Sequence, residues 1–167
     1  MKLSLSNERM AFVFGSNLAG RHGRGAALSA KNNFGARYGF GEGFAGRSYA
    51  LPTKDKNIQT RNINDIRDSI LKFIEFSKKF QEITYLVSPI GCGLAGYKDR
   101  EIAPFFKDAP VNCLLPSTWN AILGRDEIEI ELINDIGMSE QDFNALQQDF
   151  LITGNRPKKQ TLKRGAP

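Results

Sequence analysis

Cysteine and histidine are scarce in this chain. Its 167 residues include two cysteines, Cys92 and Cys113, and one histidine, His22. Two thiols cannot build a disulfide scaffold or a four-cysteine zinc site. A metal centre or a Cys-His nucleophile pair would have to be assembled around one imidazole, so no metal and no cofactor are expected. Long apolar runs are also missing: none approaches the roughly 20 residues of a membrane-spanning helix. The opening residues, Met1–Asn7, include Lys2 but no apolar core of signal-peptide length. A cytoplasmic protein without membrane contact is expected. Hydrophobic residues at 41% and charged residues at 25% are near the globular average, which excludes a wholly disordered chain. The length suits one compact domain, able to bury roughly 70% of its unfolded surface without covalent staples.

Charge is placed unevenly. Residues 1–124 hold 17 basic and 10 acidic side chains. Residues 125–150 hold Arg125 against Asp126, Glu127, Glu129, Glu131, Asp135, Glu140, Asp142 and Asp149. The last stretch, 155–167, holds Arg156, Lys158, Lys159, Lys163 and Arg164 and no acid, a charge equal to the whole net +5. With Pro157, Gly165 and Pro167 it reads as a basic disordered tail that can touch nucleic acid or simply solubilise the chain. The expected organisation is a domain over 1–154, with 125–154 an acidic strand–helix extension, followed by the tail.

Along the chain, apolar strands alternate with helical patterns. Met10–Phe14 suits a buried parallel strand. The loop Gly15-Ser16-Asn17-Leu18-Ala19-Gly20-Arg21-His22-Gly23-Arg24-Gly25 then feeds a helix over 26–31, stopped by Gly35. Glycines 39, 41, 43 and 46 mark a flexible stretch before a strand at Ser48–Leu51, closed by Pro52-Thr53-Lys54-Asp55. The clearest helix spans 64–80, capped by Asn62 or Asn64, with Ile63, Ile66, Ile70, Phe73, Ile74 and Phe80 near one face. A strand at Ile83–Ser88 runs into a second glycine loop, Pro89-Ile90-Gly91-Cys92-Gly93-Leu94-Ala95-Gly96. A short helix near 99–107, a strand at 111–115 and a half-wet strand at 127–132 follow. Ser139 opens a last helix carrying Phe143, Leu146 and Phe150 on one side. This alternation argues for an α/β fold with a mixed, mostly parallel sheet covered on both faces. Ligands on such sheets bind at the carboxyl ends of the strands, where both glycine loops and Lys54 fall.

A glycine loop between strand and helix offers bare backbone N–H groups beside a positive helix end, a natural phosphate site. Gly23-Arg24-Gly25 alone fits a tight turn equally well. No Gly-Lys-Ser/Thr follows it, and Gly20, Gly23 and Gly25 lack the dinucleotide spacing, so neither a P-loop nor a Rossmann fingerprint is present. Two such loops on one sheet point to a diphosphate.

The run Asn17 to Leu28, continuing to Lys31 and Phe34, resembles the first ligand loop of macrodomains. It is most similar to the class that removes ADP-ribose from DNA bases or acidic side chains. Pro52-Thr53-Lys54 is similar to the segment bearing that class's catalytic lysine, and Ile90-Gly91-Cys92-Gly93-Leu94 to its second phosphate loop. The three motifs stand in the family's order over about residues 10–115. The resemblance implies a three-layer α/β/α macrodomain-like fold that binds ADP-ribose and hydrolyses its link to DNA, RNA or protein. Lys54 would be the catalytic nucleophile and Asn17 would orient the distal ribose. Gly20, His22, Gly23, Arg24, Gly25, Ala26, Thr53, Ile90, Gly91, Cys92, Gly93, Leu94, Ala95 and Gly96 would bind the ligand. Members acting on protein side chains carry an Asp where this chain has Ala95; DNA-directed members rely on the lysine without it. A non-catalytic ADP-ribose binder is the alternative.

Read from the residues themselves, other choices stay open. Lys54 is either the nucleophile, which must be deprotonated to attack, or a surface lysine in a turn with Asp55 and Lys56. His22 either meets a phosphate or is a solvated or capping side chain. Cys92 reads as a small buried residue rather than a nucleophile. Trp119, Tyr97 and Phe44 either stack on a base or pack in the core. Ser117 and Thr118 either cap a helix or touch ligand.

Overall fold

The computed structural model describes residues 2–126 and 128–151. The boundary expected at 154, the basic tail 155–167, Glu127 and the Phe150 side chain lie outside the described residues. Strands are β1 (Lys2–Ser6), β2 (Met10–Asn17), β3 (Gly43–Ala45), β4 (Ser48–Lys54), β5 (Thr84–Val87), β6 (Cys113–Leu114) and β7 (Glu129–Ile133). Helices are α1 (Gly25–Asn33), α2 (Ile63–Lys79), α3 (Asp99–Ile102), α4 (Ser117–Leu123) and α5 (Glu140–Leu151). The main sheet has the order β3-β4-β2-β5-β6 and is parallel except for β3, which runs antiparallel to β4. Mixed α/β architecture with a mostly parallel sheet is therefore observed.

Strand alternation divides the core into two faces. Ala11, Val13, Tyr49, Leu51, Tyr85, Val87 and Cys113 point to one side. There they meet α2 through Ile66, Ile70, Phe73 and Ile74, the 99–106 segment through Ile102 and Phe106, and α4 through Trp119. Met10, Phe12, Phe14, Ala50, Leu86 and Leu114 point to the other side, against α1 through Ala30 and Phe34. Ser117 begins α4, with Pro116 before it.

The acid-rich segment is more than an appendage. β7 pairs in parallel with β1, from Lys2↔Glu129 to Ser6↔Ile133. Ile130, Leu132, Met138, Phe143 and Leu146 join Leu5 in the second core face. The Asp135 carboxylate accepts from the Ser6 hydroxyl and from the Glu8 backbone N–H. The second face thus carries α1, a two-stranded ribbon and α5. The stretch expected to be flexible around glycines 39–46 instead includes β3. It is anchored to β4 by the pairs Gly43↔Ala50, Phe44↔Tyr49 and Ala45↔Ser48. Among the described residues no helix is long and apolar enough to cross a membrane.

Candidate functional site

Parallel strands bring the ends of β2, β4 and β5 to the same edge. A cavity of about 730 Å3 opens there. That volume falls within the roughly 300–1,000 Å3 of small-molecule and cofactor sites. Its walls are the end of β2 (Gly15, Ser16, Asn17), the first loop and start of α1, the end of β4 with Ile58, and the loop after β5. Of the residues expected from sequence, Asn17, Gly23, Arg24, Gly25, Ala26, Thr53, Lys54, Ile90, Gly91, Cys92, Gly93, Leu94 and Ala95 line it together. Gly20, His22 and Gly96 do not.

A bulge delivers the lysine. β2 and β4 pair regularly down to Ser16↔Pro52, and the next pair is Asn17↔Lys54. Thr53 is the extra residue, and such an insertion re-aims the side chain beyond it. The Lys54 carbonyl accepts from Leu18 N–H at 2.9 Å, so the strand end and the first loop are tied together. Asn17 closes that loop on itself. Its amide donates to the Arg21 carbonyl and its Oδ1 accepts from Arg21 N–H, both at 2.9 Å. An amide has two N–H donors and its oxygen two lone pairs, so one of each is left for a ligand.

Donors converge on the cavity. Gly25, Ala26 and Ala27 form the first turn of α1, whose N–H groups have no partner inside the helix. No acidic residue occupies that turn. On the opposite wall the backbone N–H groups of Gly93, Leu94 and Ala95 meet no acceptor among the described residues. Gly91 has φ +79°, and a Cβ there would sit 3.3 Å from the tip of Ile102. At Gly23, Gly25 and Gly93 an added Cβ would meet only open space. Those glycines therefore keep the cavity floor bare rather than relieve packing. Arg21, Arg24 and Lys54 line the cavity, and among the described residues no carboxylate does. An anionic ligand is what such a lining suits.

His22 lies behind this wall. It is buried, and its Nε2 faces the carbonyls of Arg37 at 3.1 Å and Phe40 at 3.2 Å. Two carbonyl partners place the ring hydrogen on Nε2. Nδ1 is buried with no partner among the described residues, with the Phe14 ring edge-on at 5.2 Å. The histidine thus clamps the first loop to the 35–41 loop. Gly20 belongs to the same joint: a Cβ there would fall 2.3 Å from the Gly39 backbone. Gly96, at φ +88°, closes the second loop by donating to the Gly93 carbonyl at 3.0 Å. His22→Ala should cost about 3 kcal/mol through the lost bonds and the void. For a domain of this size that lowers Tm by roughly 6–12 °C. If the role is only this clamp, ligand affinity measured well below the Tm stays within about threefold.

The remaining candidates resolve into packing. Trp119 is fully buried, and its indole N–H donates to Asp99 at 2.7 Å. Phe44 stacks on Phe76 at 5.3 Å, and the Tyr97 hydroxyl donates to the Arg61 carbonyl at 2.7 Å. None of the three lines the cavity. Burial, with Asp99 beside it, pushes the Cys92 thiol up to about 12, so it is no thiolate at neutral pH.

Ile58 is a cavity residue that sequence reading did not supply. It adopts φ +62°, a left-handed conformation rare for a β-branched side chain. Asp55 imposes the turn by accepting from the N–H groups of Asn57 and Gln59 at 2.8 and 3.0 Å. No local pattern marks an isoleucine for that geometry. Ser16 and Ser88 were also unforeseen. Each is buried, with its hydroxyl spent on a backbone carbonyl, Gly41 at 2.5 Å and Val13 at 2.7 Å respectively.

Among the described residues no cluster of His, Cys, Asp and Glu could hold a metal ion. Comparisons with protein-family models, with curated proteins and with solved structures found no match, so the chemistry of the cavity rests on the residues that line it.

Proposed function

We propose that this chain is macrodomain-like, binds an ADP-ribose moiety in the cavity and hydrolyses its link to a nucleobase or protein side chain. One observation carries the reading. Two bare glycine loops, the N-terminal turn of α1 and three cations converge on a single cavity without a carboxylate among the described residues. Two linked phosphates satisfy such a set of donors better than one. The order of the three motifs along the chain supports the same reading.

In this proposal Lys54 Nζ uses its lone pair to attack the anomeric carbon of the distal ribose. The bond to the carried group breaks, and its electron pair leaves with that group. The sugar ring opens to give an imine on Lys54. Water then hydrolyses the imine, releasing ADP-ribose and the free amine. Asn17, the strand partner of Lys54, offers its remaining amide hydrogen to the ribose hydroxyls.

A second reading, capture of ADP-ribose without cleavage, has its own observation. Ala95 lines the cavity next to Leu94 and has no acid to assist the lysine. Both readings require a diphosphate ligand. Titration calorimetry is expected to show ADP-ribose binding at least tenfold tighter than AMP or ribose 5-phosphate. Equal affinity for ADP-ribose and AMP would refute the two-loop diphosphate site.

A further inference from the structure

Between Glu8 and Glu42 the chain has no acidic residue, and it carries Arg9, Arg21, Arg24, Lys31 and Arg37. Four of these cations, Arg21, Arg24, Lys31 and Arg37, are exposed and lie around one joint. The Lys31 ammonium stands 6.0 Å over the Tyr38 ring, and Tyr38 lies edge-on to His22 at 6.3 Å. His22 sits between Arg21 and Gly23, which line the cavity, and holds the Arg37 carbonyl. The patch is therefore continuous with the cavity mouth.

Among the described residues none of these four side chains has an acidic partner within ion-pair distance. One acid near this helix, Asp142, accepts from Asn33 at 2.9 Å at the far end of α1. Tyr38 is 63% exposed in this patch; Phe40, whose carbonyl meets the same His22 nitrogen, is 38% exposed, with its ring 3.3 Å from where a Cβ on Gly43 would stand. Cations without acidic partners beside exposed aromatics combine phosphate attraction with a stacking surface for unpaired bases.

We infer that Tyr38 and Phe40, with Lys31, Arg37 and the rim arginines Arg21 and Arg24, form a platform for a single-stranded nucleic acid. Resting on the function proposed above, that strand is the one whose base carries ADP-ribose into the cavity. The rings distinguish a single strand from a duplex, because a duplex keeps its bases stacked and offers only phosphates here. They also distinguish it from an acidic protein, which would use the cations alone.

The test uses the 167-residue chain with Arg156, Lys158, Lys159, Lys163 and Arg164 replaced by glutamine, so that these cations cannot mask the platform. Binding of an unmodified, labelled oligothymidine of about 12 nucleotides is followed by fluorescence anisotropy over a range of salt. Tyr38→Ala is expected to weaken binding roughly tenfold, the loss of one stacked base. Lys31→Gln combined with Arg37→Gln is expected to reduce the log–log salt slope by about 1.4, two single-strand phosphate contacts. A hairpin duplex should show no effect of Tyr38→Ala. ADP-ribose affinity in the same variants should stay within twofold.

The inference is overturned if the oligonucleotide no longer binds after the glutamine replacements. It is equally overturned if Tyr38→Ala changes nothing, or weakens single strand and duplex alike. Oligonucleotide binding that depends on Tyr38, in a chain that ignores ADP-ribose, would uphold the platform while overturning the cavity's proposed ligand.

Discussion

Lys54→Ala is expected to release no ADP-ribose from modified nucleic acid or protein, while binding ADP-ribose with nearly unchanged affinity. The reason is geometric. Lys54 is set at the cavity by the bulge that pairs it with Asn17 after Thr53 is skipped. Its backbone, not its amine, makes the tie to Leu18 N–H. Removing the amine therefore leaves the loop joint intact and deletes only the nucleophile. Lys54→Arg should fail as completely, because a guanidinium keeps its proton and forms no imine. Trapping with borohydride during turnover should yield a covalent adduct on Lys54 in the unaltered chain and none in either variant. Measured release of ADP-ribose by Lys54→Ala at even a tenth of the original rate would remove the lysine from the mechanism. A chain that binds ADP-ribose yet releases none from modified DNA, RNA, glutamate or aspartate would establish the capture reading, with Ala95 as the marker of the absent acid.

Gly25→Glu is expected to abolish ADP-ribose binding, lowering affinity by at least a hundredfold in calorimetry. Gly25 opens α1 with φ +60°, and an added Cβ would enter open space inside the cavity. A carboxylate there would stand where the helix N-terminus and Arg24 draw an anion, neutralising the field and repelling phosphate. The left-handed φ adds roughly 1–2 kcal/mol of strain for a non-glycine residue, so some loss of Tm accompanies the effect. Gly25→Asn separates the two contributions. Asparagine tolerates this conformation and carries no charge, so it should retain much of the stability and a larger share of the binding. Equal loss of binding in both variants would assign the effect to backbone strain rather than to the anion site.

Much of the site was readable because its parts are local. The glycine loops follow apolar strands, and a parallel sheet sends every strand end to one edge, so Asn17, Lys54 and Gly91 had to approach one another. Asn62 caps α2, as its position before the amphipathic run implied, by accepting from Asn64 N–H at 2.8 Å. Ser139 likewise accepts from Asp142 N–H at 3.1 Å at the start of α5. Such bonds span two or three residues and need no knowledge of the fold.

What stayed hidden depends on partners far away in sequence. Leu3 and Leu5 alternate in β1, yet five residues alone do not reveal a strand whose partner is β7, at Glu129–Ile133. His22 reads as a loop side chain until the 35–41 loop folds over it and supplies two carbonyls. Ile58 shows its strained conformation only once Asp55 has closed the turn. By itself the sequence determined the alternation of strand and helix, the strand-end placement of both glycine loops and the scarcity of metal ligands, because periodicity, glycine and residue count act over short range. Only the tertiary structure decided that Thr53 is bulged so that Lys54 pairs with Asn17, that His22 is buried against two carbonyls instead of lining the cavity, and that the acid-rich segment completes the core. Each of those outcomes is set by long-range packing and by where buried backbone groups find their hydrogen bonds.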